Sequence, residues 1–148
     1  MSRGLAKWLK KTYAAEACDL PYNAGGGGIF LKDAAVLAGL GVVGKNNLLI
    51  TPQYGPRVRL RAIQLNLPIH CERALDGFAP CDTCDGPCLQ ACPQNAFQEG
   101  SYKRKRCQRQ MRKDETHPII RQSPVVGMPP EFRIVYCRQC EFFCPVGQ

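Results

Sequence analysis

A chain of 148 residues suits one domain, or one compact body with a small second lobe, and can bury roughly two-thirds of its unfolded surface. Its 20 Lys and Arg against 12 Asp and Glu give a formal charge of +8, a balance that attracts acidic proteins or a phosphate backbone. Lys7, Lys10 and Lys11 interrupt the apolar residues near the start, and no apolar run approaches the ~18 residues needed to cross a bilayer. An export signal and membrane insertion are therefore excluded, and the chain is expected in the cytoplasm.

Leu5, Trp8, Leu9 and Tyr13 stand at i, i+3, i+4 and i+8, which predicts an amphipathic helix over residues 3–17 with its lysines outward and its apolar stripe in the core. The glycines at 25–28 break that pattern. Residues 31–40 then predict a second helix, stopped near Gly39 or Gly41. Residues 48–51 and 57–64 predict two strands around the turn Pro52-Gln53-Tyr54-Gly55-Pro56, the second with Val58, Leu60 and Ala62 inward and Arg57, Arg59 and Arg61 outward. From Cys81 onward eight of the ten cysteines crowd into the last 68 residues with little apolar periodicity between them. Metal is expected to replace an apolar core there. Residues 114–131, with Pro118, Pro124, Pro129 and Pro130, predict an irregular connector. The expected class is α+β, with residues 1–70 as a partial α/β lobe and residues 71–148 as a cluster-bearing domain.

The cysteines fall into two runs. The first is Cys81-x2-Cys84-x3-Cys88-x3-Cys92-Pro93, the second Cys137-x2-Cys140-x3-Cys144-Pro145. A reducing compartment disfavours disulfides and favours metal. Spacings of two and three let successive sulfurs face a cubane, and the proline after each run turns the chain away without leaving an amide to satisfy. Two structural zinc sites are the competing reading, although zinc knuckles do not account for two Cys-Pro endings. The pattern resembles that of two-cluster ferredoxins, in which the last cysteine of a run ligates the other cluster. That resemblance assigns Cys81, Cys84, Cys88 and Cys144 to one [4Fe–4S] cluster, and Cys92, Cys137 and Cys140 to a second. Cys107, lying between the runs, is the leading eighth ligand. Cys71 is its competitor, and Cys18 is read as a small buried apolar side chain. The departure from the usual C-x2-C-x2-C-x3-C-P run is one extra residue in Asp85-Gly86-Pro87, which a Gly-Pro turn can absorb.

The basic residues concentrate in Lys103, Arg104, Lys105, Arg106, Arg109, Arg112 and Lys113, and in Arg57, Arg59 and Arg61. They are read mainly as a solvated face that offsets anionic clusters. A contact to tRNA through residues 103–113 is the alternative. Gly39-x-Gly41-x2-Gly44 formally fits a dinucleotide fingerprint, yet a helix precedes it and a strand follows, the reverse of what that site needs. Gly44-Lys45-Asn46 approaches a phosphate loop but lacks the hydroxyl residue. His70 and His117 are read as ordinary surface residues, and no catalytic acid, triad or carboxylate pair stands out.

The stretch Ala38-Gly39-Leu40-Gly41-Val42-Val43-Gly44-Lys45-Asn46-Asn47-Leu48-Leu49-Ile50, the turn Pro52-Gln53-Tyr54-Gly55, and the order of the cysteine runs with a lone cysteine between them resemble the iron–sulfur half of the epoxyqueuosine reductase and reductive dehalogenase group. The resemblance covers about residues 31–145. It implies a nitroreductase-like lobe that carries cobalamin, followed by a ferredoxin-like double-cluster lobe, and it implies cobalamin contacts by Gly41, Gly44, Lys45 and Asn46; a plain turn is the alternative for those four. Where epoxyqueuosine reductases carry an acidic Val-Asp-Thr segment, this chain has the glycines at 25–28, so the proton donor is not found. Three functions are expected in turn. The first is an iron–sulfur electron carrier serving a redox partner such as a corrinoid protein. The second is a minimal, cobalamin-dependent reductase related to epoxyqueuosine reduction in tRNA, and the third a cluster-stapled nucleic-acid-associated protein.

Overall fold

A computed structural model describes residues 2–21, 26–69, 75–122, 127 and 129–148. His70, Cys71, Gly25 and Pro124 lie outside them. The class is α+β. Short helices accompany three two-stranded antiparallel sheets, which pair β1 with β4, β2 with β3, and β5 with β6. The chain divides into two compact units. One comprises residues 1–44, 48–82 and 146–148, the other residues 45–47 and 83–145. Among the described residues no helix is long and apolar enough to cross a membrane.

In the first unit, α1 (Ser2–Tyr13) packs on β1 (Ala17–Asp19), which pairs with β4 (Ile63–Leu65) in the register Ala17↔Leu65 to Asp19↔Ile63. The helix stops at Tyr13, short of the expected residue 17, because Ala14 turns left-handed at φ 52°. Its apolar stripe is not core. Ala6 is buried, while Leu5, Trp8 and Tyr13 are 48%, 50% and 58% exposed, since a two-stranded ribbon is too narrow to cover the wide stripe of an amphipathic helix. Cys18 is also exposed, against expectation, because it sits on the outer face of β1 between buried Ala17 and half-buried Asp19.

The second helix, α2 (Leu31–Leu37), ends as the glycine pattern requires. Gly39 is left-handed at φ 69°, its amide donates to Val36 O, and the Leu40 amide donates to Ala35 O. These two bonds form the paired closure of a glycine-capped helix end. β2 (Val42–Val43) and β3 (Leu49–Ile50) follow as a hairpin closed by the Gly44 amide on Leu48 O. Its three-residue loop ends in left-handed Asn47 (φ 58°). Gly41 has a packing reason to be glycine, because a Cβ there would lie 2.1 Å from Ile50 O.

The expected hairpin of residues 48–51 with 57–64 does not form. β3 takes β2 as partner and β4 takes β1, while residues 57–62 belong to no strand. The alternation along residues 58–62 holds, with Val58, Leu60 and Ala62 half-buried and Arg59 and Arg61 exposed. Alternation fixes which way side chains point; it does not choose the strand alongside. The turn closes on itself instead, through reciprocal Thr51 and Gly55 backbone bonds of 2.9 Å each.

The second unit contains α3 (Pro87–Gln90), a 3-10 turn (Gln98–Gly100), α4 (Arg104–Glu115), β5 (Ile119–Arg121), β6 (Glu131–Arg133) and α5 (Gln139–Phe142). The expected irregular connector at 114–131 is corrected here. Asp114 and Glu115 belong to α4, and β5 pairs with β6 through Ile119↔Arg133, Ile120↔Phe132 and Arg121↔Glu131. Pro118, Pro129 and Pro130 all fall outside the strands, where a missing amide costs no ladder bond. Among the described residues the buried side chains of this unit are Cys88, Ala96, Cys144, Asn46 and Glu141. No large aliphatic or aromatic side chain is among them, so the apolar contribution to its stability is small.

Candidate metal centre

The first cysteine run is shaped by the extra residue that sets it apart. Gly86 is left-handed (φ 71°) immediately before Pro87 opens α3, a glycine turn followed by a proline whose missing amide costs nothing at the first helical position. The Gly86 amide lies 3.5 Å from Cys84 Sγ. Cys88 then stands on α3, which packs against α5. Cys88 and Cys144 are 6% and 4% exposed. Cys84, Cys88 and Cys144 belong to the second unit, whereas Cys81 falls in the last stretch of the first.

In the second unit two thiols of the second cysteine run, Cys137 and Cys140, feel the charges of cysteines from other segments. Burial first, and then the like charges of Cys107, Cys137, Cys92 and Cys88, push the Cys140 thiol up to about 12. Burial likewise raises Cys137, with further opposition from Asp114, Cys92 and Cys107, while a bond from the Gln139 amide lowers it. Cys140 is thus within electrostatic reach of Cys107, Cys137, Cys92 and Cys88, and Cys137 of Cys92 and Cys107. A cationic centre such as an iron–sulfur core would offset the influences that raise Cys137 and Cys140. Among the described residues no three His, Cys, Asp or Glu side chains are gathered for a single ion.

Amides and side chains hold these sulfurs. Ala96, fully buried, donates its amide to Cys92 Sγ at 3.3 Å. Cys107 rides on α4, and Tyr102, shielded and hydrogen-bonded to Cys107, has its phenol pushed well above the usual range by burial first and by that bond second. Arg106 braces the loop after Cys92 through Asn95 O (3.0 Å) and Gln98 Oε1 (2.8 Å), so this member of the basic cluster does structural work. Arg138 forms two bonds with buried Glu141, Nε to Oε2 at 2.8 Å and Nη2 to Oε1, and stacks over Phe142.

Asn46, one of the four residues that resemblance links to cobalamin, is 3% exposed and donates Nδ2 to Cys140 O at 3.1 Å. Gly41 is occupied with Ile50, as described above, and Lys45 is exposed on the hairpin loop with Gly44 just before it. Sequence reading missed α4 itself, and with it Gln110 and Asp114. The signal that was available is polar: Cys107, Gln110 and Asp114 lie at i, i+3 and i+7, one half-buried stripe of a helix.

The fold defines a class, an α+β module that carries two cysteine runs. Among curated proteins the chain is 31% identical over 126 residues to the epoxyqueuosine reductase of Listeria monocytogenes, covering 80% of this chain and 30% of that protein. It is 40% identical over 68 residues to the tetrachloroethene reductive dehalogenase of Sulfurospirillum multivorans, covering 45% of this chain and 13% of that one. A crystal structure of epoxyqueuosine reductase with an epoxyqueuosine-modified tRNA-Tyr stem loop matches the fold with a TM-score of 0.67 at 24% identity, over 98% of this chain and 36% of that chain. No family model matches. The chain is similar to epoxyqueuosine reductases and spans about a third of the length of such relatives.

Proposed function

We propose that this chain is the iron–sulfur part of an epoxyqueuosine reductase-type system acting on tRNA, holding two [4Fe–4S] clusters that deliver electrons singly to cobalamin. What supports the reading is the 31% identity to an epoxyqueuosine reductase over 80% of this chain, together with two cysteine runs of which Cys137 and Cys140 have Cys92 and Cys107 as electrostatic neighbours. The second cluster would use these four, and the first Cys81, Cys84, Cys88 and Cys144. When bound, the clusters supply one-electron chemistry at potentials set by burial, charge and hydrogen bonds to sulfur. They also supply the cohesion that a unit with so few buried apolar side chains lacks.

The protein's own residues set the surroundings. Ala96 and Gly86 amides bond cysteine sulfur, Asn46 holds the Cys140 carbonyl, and α4 carries Cys107. The outer side of α4, with Arg104, Lys105, Arg109, Arg112 and Lys113 exposed, suits a tRNA backbone. Leu5, Trp8, Tyr13, Phe30 and Leu37 are exposed and fit cover by the missing part of the nitroreductase-like lobe of which residues 1–70 are read as a portion.

The test is anaerobic reconstitution. The expected protein is brown and holds about eight irons per chain, and with cobalamin, a low-potential reductant and the remaining lobe it reduces epoxyqueuosine in tRNA. A folded, colourless zinc protein would defeat the reading. The glycines at 25–28, standing where such reductases carry an acidic segment, favour one second reading, an electron carrier for a separate redox partner. It is distinguished by reversible cluster reduction without turnover of modified tRNA under any of these additions.

A further inference from the structure

Two carboxylates flank the second cysteine run, and they are treated differently. Glu141 is neutralised by Arg138. Asp114, near the C-terminal end of α4, accepts the Cys137 amide on Oδ2 at 2.8 Å and Gln110 Nε2 on Oδ1 at 2.8 Å. Gln110 Oε1 in turn accepts Gln94 Nε2 at 3.1 Å. The relay runs from two residues beyond Cys92, across the helix that carries Cys107, to the backbone of Cys137, and so touches all three segments that bring cysteines together. The neighbouring Glu115 accepts the Tyr136 hydroxyl at 3.1 Å, a second latch between the helix and the segment leading into Cys137. Among the described residues no cation pairs with Asp114.

We propose that Asp114 is a positioning and potential-setting residue, which fastens Cys137 to α4 and, through its negative charge, lowers the reduction potential of the cluster on Cys92, Cys107, Cys137 and Cys140. The inference rests on the two-cluster reading above. Reduction adds one negative charge to a cluster, and a carboxylate on the amide of its own ligand opposes that charge. The same bond also occupies the Cys137 amide, which would otherwise be free to donate to a sulfur atom, and a sulfur without that donor again favours the oxidised state. Both effects have one sign. The relay through Gln110 and Gln94 keeps the carboxylate oriented, since both of its oxygens are engaged.

The experiment is a redox titration of the reconstituted full chain followed by EPR, with iron content measured alongside. Asp114→Asn is close to isosteric and can keep the bond from Cys137, with the Gln110 and Gln94 amides turned over. It is expected to retain the wild-type iron content while one of the two clusters becomes easier to reduce. At a fixed ambient potential its reduced-to-oxidised ratio should rise about tenfold, which is about 59 mV for a one-electron couple; the other cluster should be unmoved. Retained iron with both potentials unchanged overturns the proposal, because a purely structural latch would behave that way. Should Asp114→Asn lose iron, Asp114→Glu, which keeps the charge, decides. Iron held at a near wild-type potential supports the assignment, and loss in both variants overturns the potential-setting role. Wild-type protein that takes up no iron defeats the two-cluster reading instead, a result distinguishable from all of these.

Discussion

Asn46 buries an amide against the Cys140 carbonyl. Replacing it with alanine leaves that carbonyl without the bond and is expected to cost about 1–3 kcal/mol, measured as a lower midpoint of thermal unfolding in the loaded protein. The sulfur ligands separate more sharply. Cys144→Ala should halve the iron content, to about four per chain, although the first run is intact in sequence, because its fourth ligand comes from the second run. Iron that stays at about eight would show that the exchange of ligands does not occur. Cys107→Ser should damage the other cluster and Cys71→Ser should not; the reverse outcome would exchange the two residues' roles. At this scale the sequence was informative where a residue type has one strong chemistry. Gly39, for one, marked the end of a helix. The sequence was uninformative where the backbone recruits a side chain, as with Asn46, whose partner lies 94 positions away.

Of the elements, α4 was the one that pattern reading passed over. Its inward stripe is Cys107, Gln110 and Asp114 rather than leucine or valine, so apolar periodicity, the usual sign of an amphipathic helix, is missing. What holds it is a set of polar bonds to neighbouring loops. The β5–β6 ribbon was hidden for a different reason, since its prolines suggested a loop while lying just outside the paired residues. The expected pairing of residues 48–51 with 57–64 failed because alternation in the second stretch names a face and not a partner. On α4 the exposed basic side invites a direct test. Changing Arg104, Lys105, Arg109 and Arg112 together to glutamine, with Arg106 spared for its structural bonds, should weaken tRNA binding without sequence preference. The slope of log affinity against log salt should become shallower by about 0.7–0.9 for each phosphate no longer neutralised, read by titration over a range of salt. An unchanged salt slope would mean that this side is only solvated.

Over the whole molecule, stability is unevenly distributed. The first unit owns the buried Leu49 and Ile50, while the second has cysteines, one alanine and two polar side chains in its interior. Removing iron is therefore expected to abolish amide protection across residues 83–145 while protection persists around β2 and β3, followed by hydrogen exchange before and after chelation. Equal loss in both regions would contradict this division.

Residues 146–148 belong to the first unit. The Val146 carbonyl accepts Arg57 Nη1 at 2.8 Å, and a Cβ on Gly55 or Gly147 would collide with backbone at 1.9 or 2.3 Å. These residues reach the turn at 51–55 only after the whole cysteine-bearing stretch has been made, so the closing contact of the first unit spans 89 positions, a separation that slows folding. During synthesis the early half must wait, with its turn unclasped, until its last clasp leaves the ribosome.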